Sequence, residues 1–300
     1  LKILFIESLR SSMSSAWLIL KLVVPLYILS DFLLYYDLLR HISFLFTPLT
    51  ELLHLPAEAA VAVAGGMLLN VYAAIAFAAP LGLTAYQWTI LGIFLGVCHA
   101  LVVESAIMAK LGVSYGYSIV LRIVGAFLAV LPVLFLPPSF FADTAVRQAP
   151  AAKVLPESVG QMLGESILQA GILSLKIIVL ISAIIICMDL LKASKVIKDH
   201  MDKVNTSFSI IVGQLLGITY GATILIREAS QGNLSQRDIF FISTFLMICH
   251  SLIEDVLLFV IFGANLWVIV IARLFTAVVL SYVLLFLTPR LFSLDRVVRA

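Results

Sequence analysis

The chain has 300 residues, 62% of them hydrophobic and 12% charged, with a mean hydropathy of +1.14. A soluble domain carries about 25% charged residues, so this composition excludes a water-soluble globular fold, and a net charge of +2 gives no basis for nucleic-acid binding. Cys98, Cys187 and Cys249 all lie in apolar runs, so no disulfide framework is implied.

Residues 16–36 are apolar and long enough to span a bilayer, since a crossing needs about 20 residues. The run continues past Asp31 to Tyr36 without a small-residue cleavage pattern, so a span is expected rather than a signal peptide. Asp37-Leu-Leu-Arg40 and a Pro-punctuated amphipathic stretch follow, suited to a helix lying at the membrane interface. Residues 57–82 are rich in small residues, with Gly65, Gly66 and Asn70 near the middle. Thr84-Ala-Tyr-Gln87 reads as a capping box opening the next helix. That helix carries Cys98, His99 and Glu104 and is expected to run to Gly112. Residues 114–136 span again and stop at Pro137-Pro138, and residues 142–160 form a polar linker.

The pattern then restarts. Residues 165–188 span, Asp189-Leu-Leu-Lys192 echoes Asp37-Leu-Leu-Arg40, and residues 193–205 form a second interfacial segment. A second Gly-interrupted stretch carries Gln214 and Gly217, and Ser235-Gln-Arg-Asp238 is a second cap. The helix bearing Cys249, His250, Glu254 and Asp255 is expected to end at Gly263, before a last span that stops at Thr288-Pro289. From Gly66 onward the halves align without a gap at a shift of about 151 residues, pairing Cys98 with Cys249, His99 with His250, Gly112 with Gly263 and Arg122 with Arg273. The expected organisation is a first repeat over 1–141, a linker over 142–160 and a second repeat over 161–300.

Whether the repeats are parallel or inverted depends on the Gly-interrupted stretches. If each enters the membrane and returns as a helical hairpin, each half crosses three times and the repeats are inverted. With a cytoplasmic N-terminus, that arrangement puts Lys110, the Lys192–Lys203 cluster and the C-terminal arginines inside. It leaves Arg40, Arg147 and Lys153 outside, a split of roughly 12 to 3, against about 9 to 6 for parallel repeats. The expected fold is therefore an all-α polytopic membrane protein of two inverted repeats. Each has transmembrane helices, an interfacial helix and a re-entrant hairpin, at about 57–82 and 206–233. The linker then faces the periplasm of a bacterial inner-membrane protein.

Ionisable groups inside apolar runs are expensive and mark functional sites by default. Glu104 and Arg122 lie roughly 12–15 Å from the turn at Gly112, at 1.5 Å per residue, on adjacent antiparallel helices. Asp255 and Arg273 stand in the same relation about Gly263. One buried ion pair per half is expected, and the competing reading is that each pair only locks its helix hairpin. His99 and His250 lie deeper, where they serve either substrate or proton, or hydrogen-bond across helices as packing. Glu254 breaks the symmetry, because its counterpart is Val103. On a continuous helix it would share a face with His250 and offer an oxygen to a coupling cation or proton. Cys98 and Cys249 beside the histidines invite a transition-metal reading. Neighbouring helical residues point about 100° apart, so Cys and His of one copy cannot both ligate one ion unless the helix unwinds.

The run SFLFTPLTELLHLPAEAAVAVAGGMLLN, followed by a His- and acid-bearing helix, resembles the Gate, or nucleoside-recognition, domain. Concentrative nucleoside transporters, the membrane part of FeoB-type ferrous-iron transporters and spore-maturation membrane proteins share that domain. The HSLIED stretch is similar to small stand-alone bacterial members. The resemblance implies that hairpin tips and a broken following helix bind substrate and coupling ion. Carried onto this chain, it implicates Gly66, Asn70, Gln214, Gly217, His99, Glu104, His250, Glu254 and Asp255.

The function expected is that of a secondary transporter, not an enzyme, moving a small polar solute, nucleoside-like by the resemblance, with H⁺ or Na⁺ as coupling ion. No Walker motif supplies ATP-driven transport. Two alternatives stay open: a divalent-metal permease of the Fe²⁺ type, and a non-transporting component that docks a partner protein. Lipid is the expected surrounding, and assembly with further copies is left open.

Overall fold

The computed structural model describes residues 2–38, 47–141, 156–193, 226, 234–291 and 297–298. The described residues are helical, with one isolated bridge between Val113 and Val298 and no strand. The helices are α1 (Lys2–Tyr35), α2 (Thr47–Leu52), α3 (Ala59–Leu68), α4 (Val71–Ala78), α5 (Ala85–Cys98), α6 (Leu101–Lys110), α7 (Tyr115–Leu134), α8 (Val159–Ala193), α9 (Gln236–Ile248), α10 (Glu254–Val260) and α11 (Leu266–Leu291). Among the described residues, five segments are long and apolar enough to cross a membrane: Ser8–Tyr35, Ala85–Lys110, Tyr115–Leu134, Val159–Leu190 and Leu266–Thr288. Gln214 and Gly217, residues 42–46 of the first interfacial segment, the second interfacial segment apart from Ala193, most of the linker and most of the second Gly-interrupted stretch lie outside the described residues.

The chain folds as two compact units, and each takes segments from both sequence halves. The first comprises residues 1–91, 137–194 and 258–265. Its long helices α1 and α8 run antiparallel. Ser8 donates to Asp189 Oδ2 at 2.7 Å near one end, and Ser166 donates to Asp31 Oδ2 at 2.6 Å near the other. Each contact satisfies a carboxylate within an apolar helix, where an unpaired one would be costly. The short helices α3 and α4 fold back on each other. Asn70 is extended between them, and its side-chain oxygen accepts from Ala73 N, which caps α4. A Cβ on Gly65 would come within 2.9 Å of the Phe77 ring, so glycine there sets how closely the two helices approach. Gly66 is buried in α3. Ser30 of α1 donates to the Phe77 carbonyl, which ties the α3–α4 pair to α1. Trp88 at the start of α5 stacks on Phe262, and Asn265 N donates to Thr89 Oγ1.

The second unit comprises residues 92–136, 195–257 and 266–300. Helices α7 and α11 run antiparallel in it. Ser114 N, ahead of α7, donates to Val297 O beyond the end of α11, and Gly125 lies beside Leu280. Tyr117 of α7 hydrogen-bonds Thr244 of α9 at 2.8 Å, and Ser118 donates to Ser105 of α6 at 2.9 Å. Among the described residues, the largest fully buried side chains are two arginines of this unit, Arg122 and Arg273, while Trp267, Phe275 and Tyr282 are exposed. Apolar rings outside and guanidinium groups inside is the pattern of a protein whose surroundings are hydrocarbon.

Both caps read in the sequence form. Thr84 and Gln87 exchange backbone-to-side-chain hydrogen bonds, and so do Ser235 and Asp238, 151 positions later. The helices they open differ from expectation in one respect. The first breaks between α5 and α6, with Ala100 in the left-handed region at φ 43°. The second breaks between α9 and α10, with Ser251 at φ 49°. The two strained residues are again 151 positions apart. A non-glycine residue in this conformation costs about 1–2 kcal/mol, so the breaks are held open by something else.

Candidate functional site: a histidine–carboxylate cluster at two helix breaks

What holds the breaks open is the pair of buried arginines. A broken helix leaves the carbonyls of its last turn without intrahelical partners, and in hydrocarbon each such group costs several kcal/mol. Arg122 Nε donates to Val97 O at 2.8 Å and its Nη2 to His99 O at 2.7 Å. Arg273 does the same at the second break, with Nη2 on His250 O at 2.6 Å and Nε near Ile248 O at 3.5 Å. Arg273 Nη2 also donates to Gly96 O of α5 at 2.6 Å. One guanidinium therefore tethers the broken ends of α5 and α9 to each other. A Cβ at Gly96 would lie 2.8 Å from Arg273 Nη1, so a larger residue there would push that guanidinium aside.

Into the gap made by the breaks project the ionisable side chains. Glu104, in the first turn of α6, meets Arg122 Nη2 at 2.5 Å, His99 Nε2 at 3.1 Å and His250 Nε2 at 3.3 Å. The two imidazole rings lie 5.2 Å apart, centroid to centroid. Asp255, the counterpart of Glu104, approaches the same group with Oδ2 at 4.0 Å from both His99 Nδ1 and Arg273 Nη1. Ligand atoms of His99, His250 and Asp255 lie within 4.8 Å of one another. All six side chains are buried.

The geometry revises several expectations. The two ion pairs are unequal: Glu104 Oε2 lies 2.5 Å from its arginine, whereas Asp255 Oδ2 lies 4.0 Å from its own. Glu254 does not share a helical face with His250, because the chain leaves the helix at Cys249 and re-enters it at Glu254. Asp255, next along, joins the histidines, and Glu254 is partly exposed at the start of α10. The metal role for the cysteines loses its geometry as well. Cys98 Sγ donates to Phe94 O, and the groups able to hold an ion among the described residues contain neither Cys98 nor Cys249. Gly66 and Asn70 belong to the first compact unit, where Asn70 caps a helix. Gly96 was not singled out in the sequence. A lone glycine in an apolar helix was the available signal, since it marks close approach of another group.

Comparison with known proteins gives the membrane setting independent support. The chain is 30% identical over 294 residues to a Bacillus subtilis (strain 168) protein described as "Uncharacterized membrane protein YvoD", covering 94% of each chain. The chain belongs to the YvoD family. With five candidate spans and a YvoD-type relative aligned along almost its whole length, it is a membrane protein with several transmembrane helices. No family model matches the sequence, and no solved structure matches it.

Proposed function

We propose that this member of the YvoD family is a secondary, ion-coupled transporter of a small polar solute or ion, with its site at the paired helix breaks. The observation that carries the reading is the convergence of His99, Glu104, Arg122, His250 and Asp255 at two interrupted apolar helices, one from each half. Interrupted helices at matching positions of two halves are where transporters hold their substrates, because irregular backbone is tolerated at membrane depth only where it lines a cavity or is covered by protein. Ionisable residues there are expensive, and a function offsets the cost.

The reading includes inverted repeats. Antiparallel packing of α1 with α8, and of α7 with α11, supports it, since these are equivalent helices of the two halves and would run parallel if the repeats did. Re-entry of the α3–α4 hairpin is supported by length. Helices of 10 and 8 residues rise about 15 and 12 Å, well short of the roughly 30 Å hydrocarbon core. The resemblance to the Gate domain fits this arrangement, as does a bacterial inner-membrane location. A divalent-metal permease is the second reading, favoured by the two imidazoles and a carboxylate that meet without a cysteine.

The test is uptake into proteoliposomes under an inward H⁺ or Na⁺ gradient, with radiolabelled uridine and radioactive cobalt as probes. At least one should accumulate above empty vesicles, and Glu104→Gln should abolish that accumulation. Folded, oriented protein that accumulates neither contradicts the proposal.

A further inference from the structure

We infer that the cluster is a binding site for a divalent transition-metal ion, held by His99 Nε2, His250 Nε2 and the Glu104 carboxylate, with Asp255 in reach as a further ligand. The inference rests on the transport reading in one respect: there the ion is the cargo.

The ring hydrogens decide which nitrogens are free. His99 Nδ1 lies 2.7 Å from Leu95 O, and His250 Nδ1 lies 2.8 Å from Leu246 O. A carbonyl can only accept, so each Nδ1 must carry its hydrogen and donate it. The neutral ring then presents the Nε2 lone pair. Both Nε2 atoms face oxygens of one carboxylate, at 3.1 Å from Oε1 and 3.3 Å from Oε2 of Glu104. A lone pair set against a carboxylate oxygen at that distance is repulsive unless something positive sits between them. Two protons would do this either by charging both rings, 5.2 Å apart and beside the buried Arg122 guanidinium, or by charging one ring and neutralising Glu104. A single dication resolves both contacts at once.

The distances suit it. With metal–nitrogen and metal–oxygen bonds of about 2.0–2.1 Å in a tetrahedron, neighbouring ligand atoms lie about 3.3 Å apart. Metal-binding histidines characteristically donate their other ring N–H to a carbonyl or carboxylate, which fixes the tautomer and ring orientation. Both histidines here do so, each to the residue four positions before it. Asp255 supplies a further sign of a missing partner, because its Oδ2 is buried and has no hydrogen-bond partner among the described residues.

The donor set also names the class of ion. Two imidazoles with carboxylates suit Zn²⁺, Fe²⁺, Co²⁺ and their neighbours. They do not suit Ca²⁺ or Mg²⁺, which take all-oxygen sites, or Cu⁺, which prefers sulfur. Arg122 draws on the same carboxylate that would bind the ion. That competition weakens the hold on a cation, which suits an ion that must leave again.

The experiment is a Co²⁺ titration of the purified chain in detergent, followed by visible absorption and calorimetry. One Co²⁺ should bind per chain, with affinity at least 10-fold lower in His99→Gln and in His250→Gln. His54→Gln should bind like wild type, because His54 bonds Tyr86 in the other compact unit. Zn²⁺ should displace the cobalt, and equal Mg²⁺ or Ca²⁺ should not. Should the histidine variants misfold, X-ray absorption of cobalt on the wild-type chain decides: two imidazole nitrogens support the site, and an oxygen-only shell overturns it. Absent binding, or binding equal in all the variants, overturns it too and leaves protons as the occupants. The two readings fail separately. Cobalt that binds as described but never enters vesicles defeats transport and spares the site, whereas gradient-driven uridine uptake with no cobalt binding does the reverse.

Discussion

Glu104 is the residue on which the cluster turns, because its carboxylate faces a guanidinium and two imidazoles together. Its counterpart Asp255 is buried just as deeply but stands 4.0 Å from Arg273 Nη1, while Arg273 Nη2 donates to backbone carbonyls. The two acids should therefore differ sharply in what they do for stability. Removing one partner of a buried pair costs about 3–5 kcal/mol, because the other charge is left uncompensated. Glu104→Ala is expected to lose about that much and Asp255→Asn much less, read as thermal unfolding midpoints in one detergent. Equal losses, or the reverse order, would show that the pairing described for Glu104 is not what supports the fold. Glu254, by contrast, is expected to matter less than its asymmetric sequence position suggests, since Asp255 and not Glu254 gathers with His99 and His250.

At the scale of the helices, strain and compensation meet at the two breaks. Ala100 and Ser251 are held at positive φ, and the four carbonyl contacts of Arg122 and Arg273 around His99 and His250 keep them there. Glycine has no Cβ to clash in that conformation. Ala100→Gly and Ser251→Gly should each raise stability by about 1 kcal/mol, the penalty a non-glycine residue carries in the left-handed region. A fall in the unfolding midpoint of both would mean that the helices are continuous in the protein. The resemblance to the Gate domain implied a broken helix, but the residues themselves did not show where or why it breaks. No proline or glycine stands between Val97 and Lys110, so an apolar run with good helix formers reads as one helix. The groups that stabilise the first break come from Arg122, 23 residues beyond His99, and such non-local partners leave no local pattern. The caps at Thr84 and Ser235 were legible because a capping box is a four-residue signal. The choice of Asp255 over Glu254 was missed for the same reason as the breaks, since it follows from re-entering the helix at a new phase.

At the scale of the whole molecule, the 151-residue shift seen in the sequence reappears as matched caps, matched breaks, matched left-handed residues and matched arginine contacts. Duplication explains why an ionisable cluster can be built from two modest contributions: each half brings one histidine, one acid and one carbonyl-binding arginine. In the proposed function these halves are oppositely oriented in the membrane and each presents one broken helix to a single carrier site. The expected charge asymmetry follows from it, with the Lys192–Lys203 segment in the cytoplasm and the linker at 142–160 outside. Single cysteines at Ala151 and Ser194, in a chain freed of Cys98, Cys187 and Cys249, test this directly through a membrane-impermeant thiol reagent applied to intact cells. The cysteine at position 151 should be labelled from outside, and the one at position 194 only after the membrane is opened. Labelling of both from outside, or of neither, would contradict it.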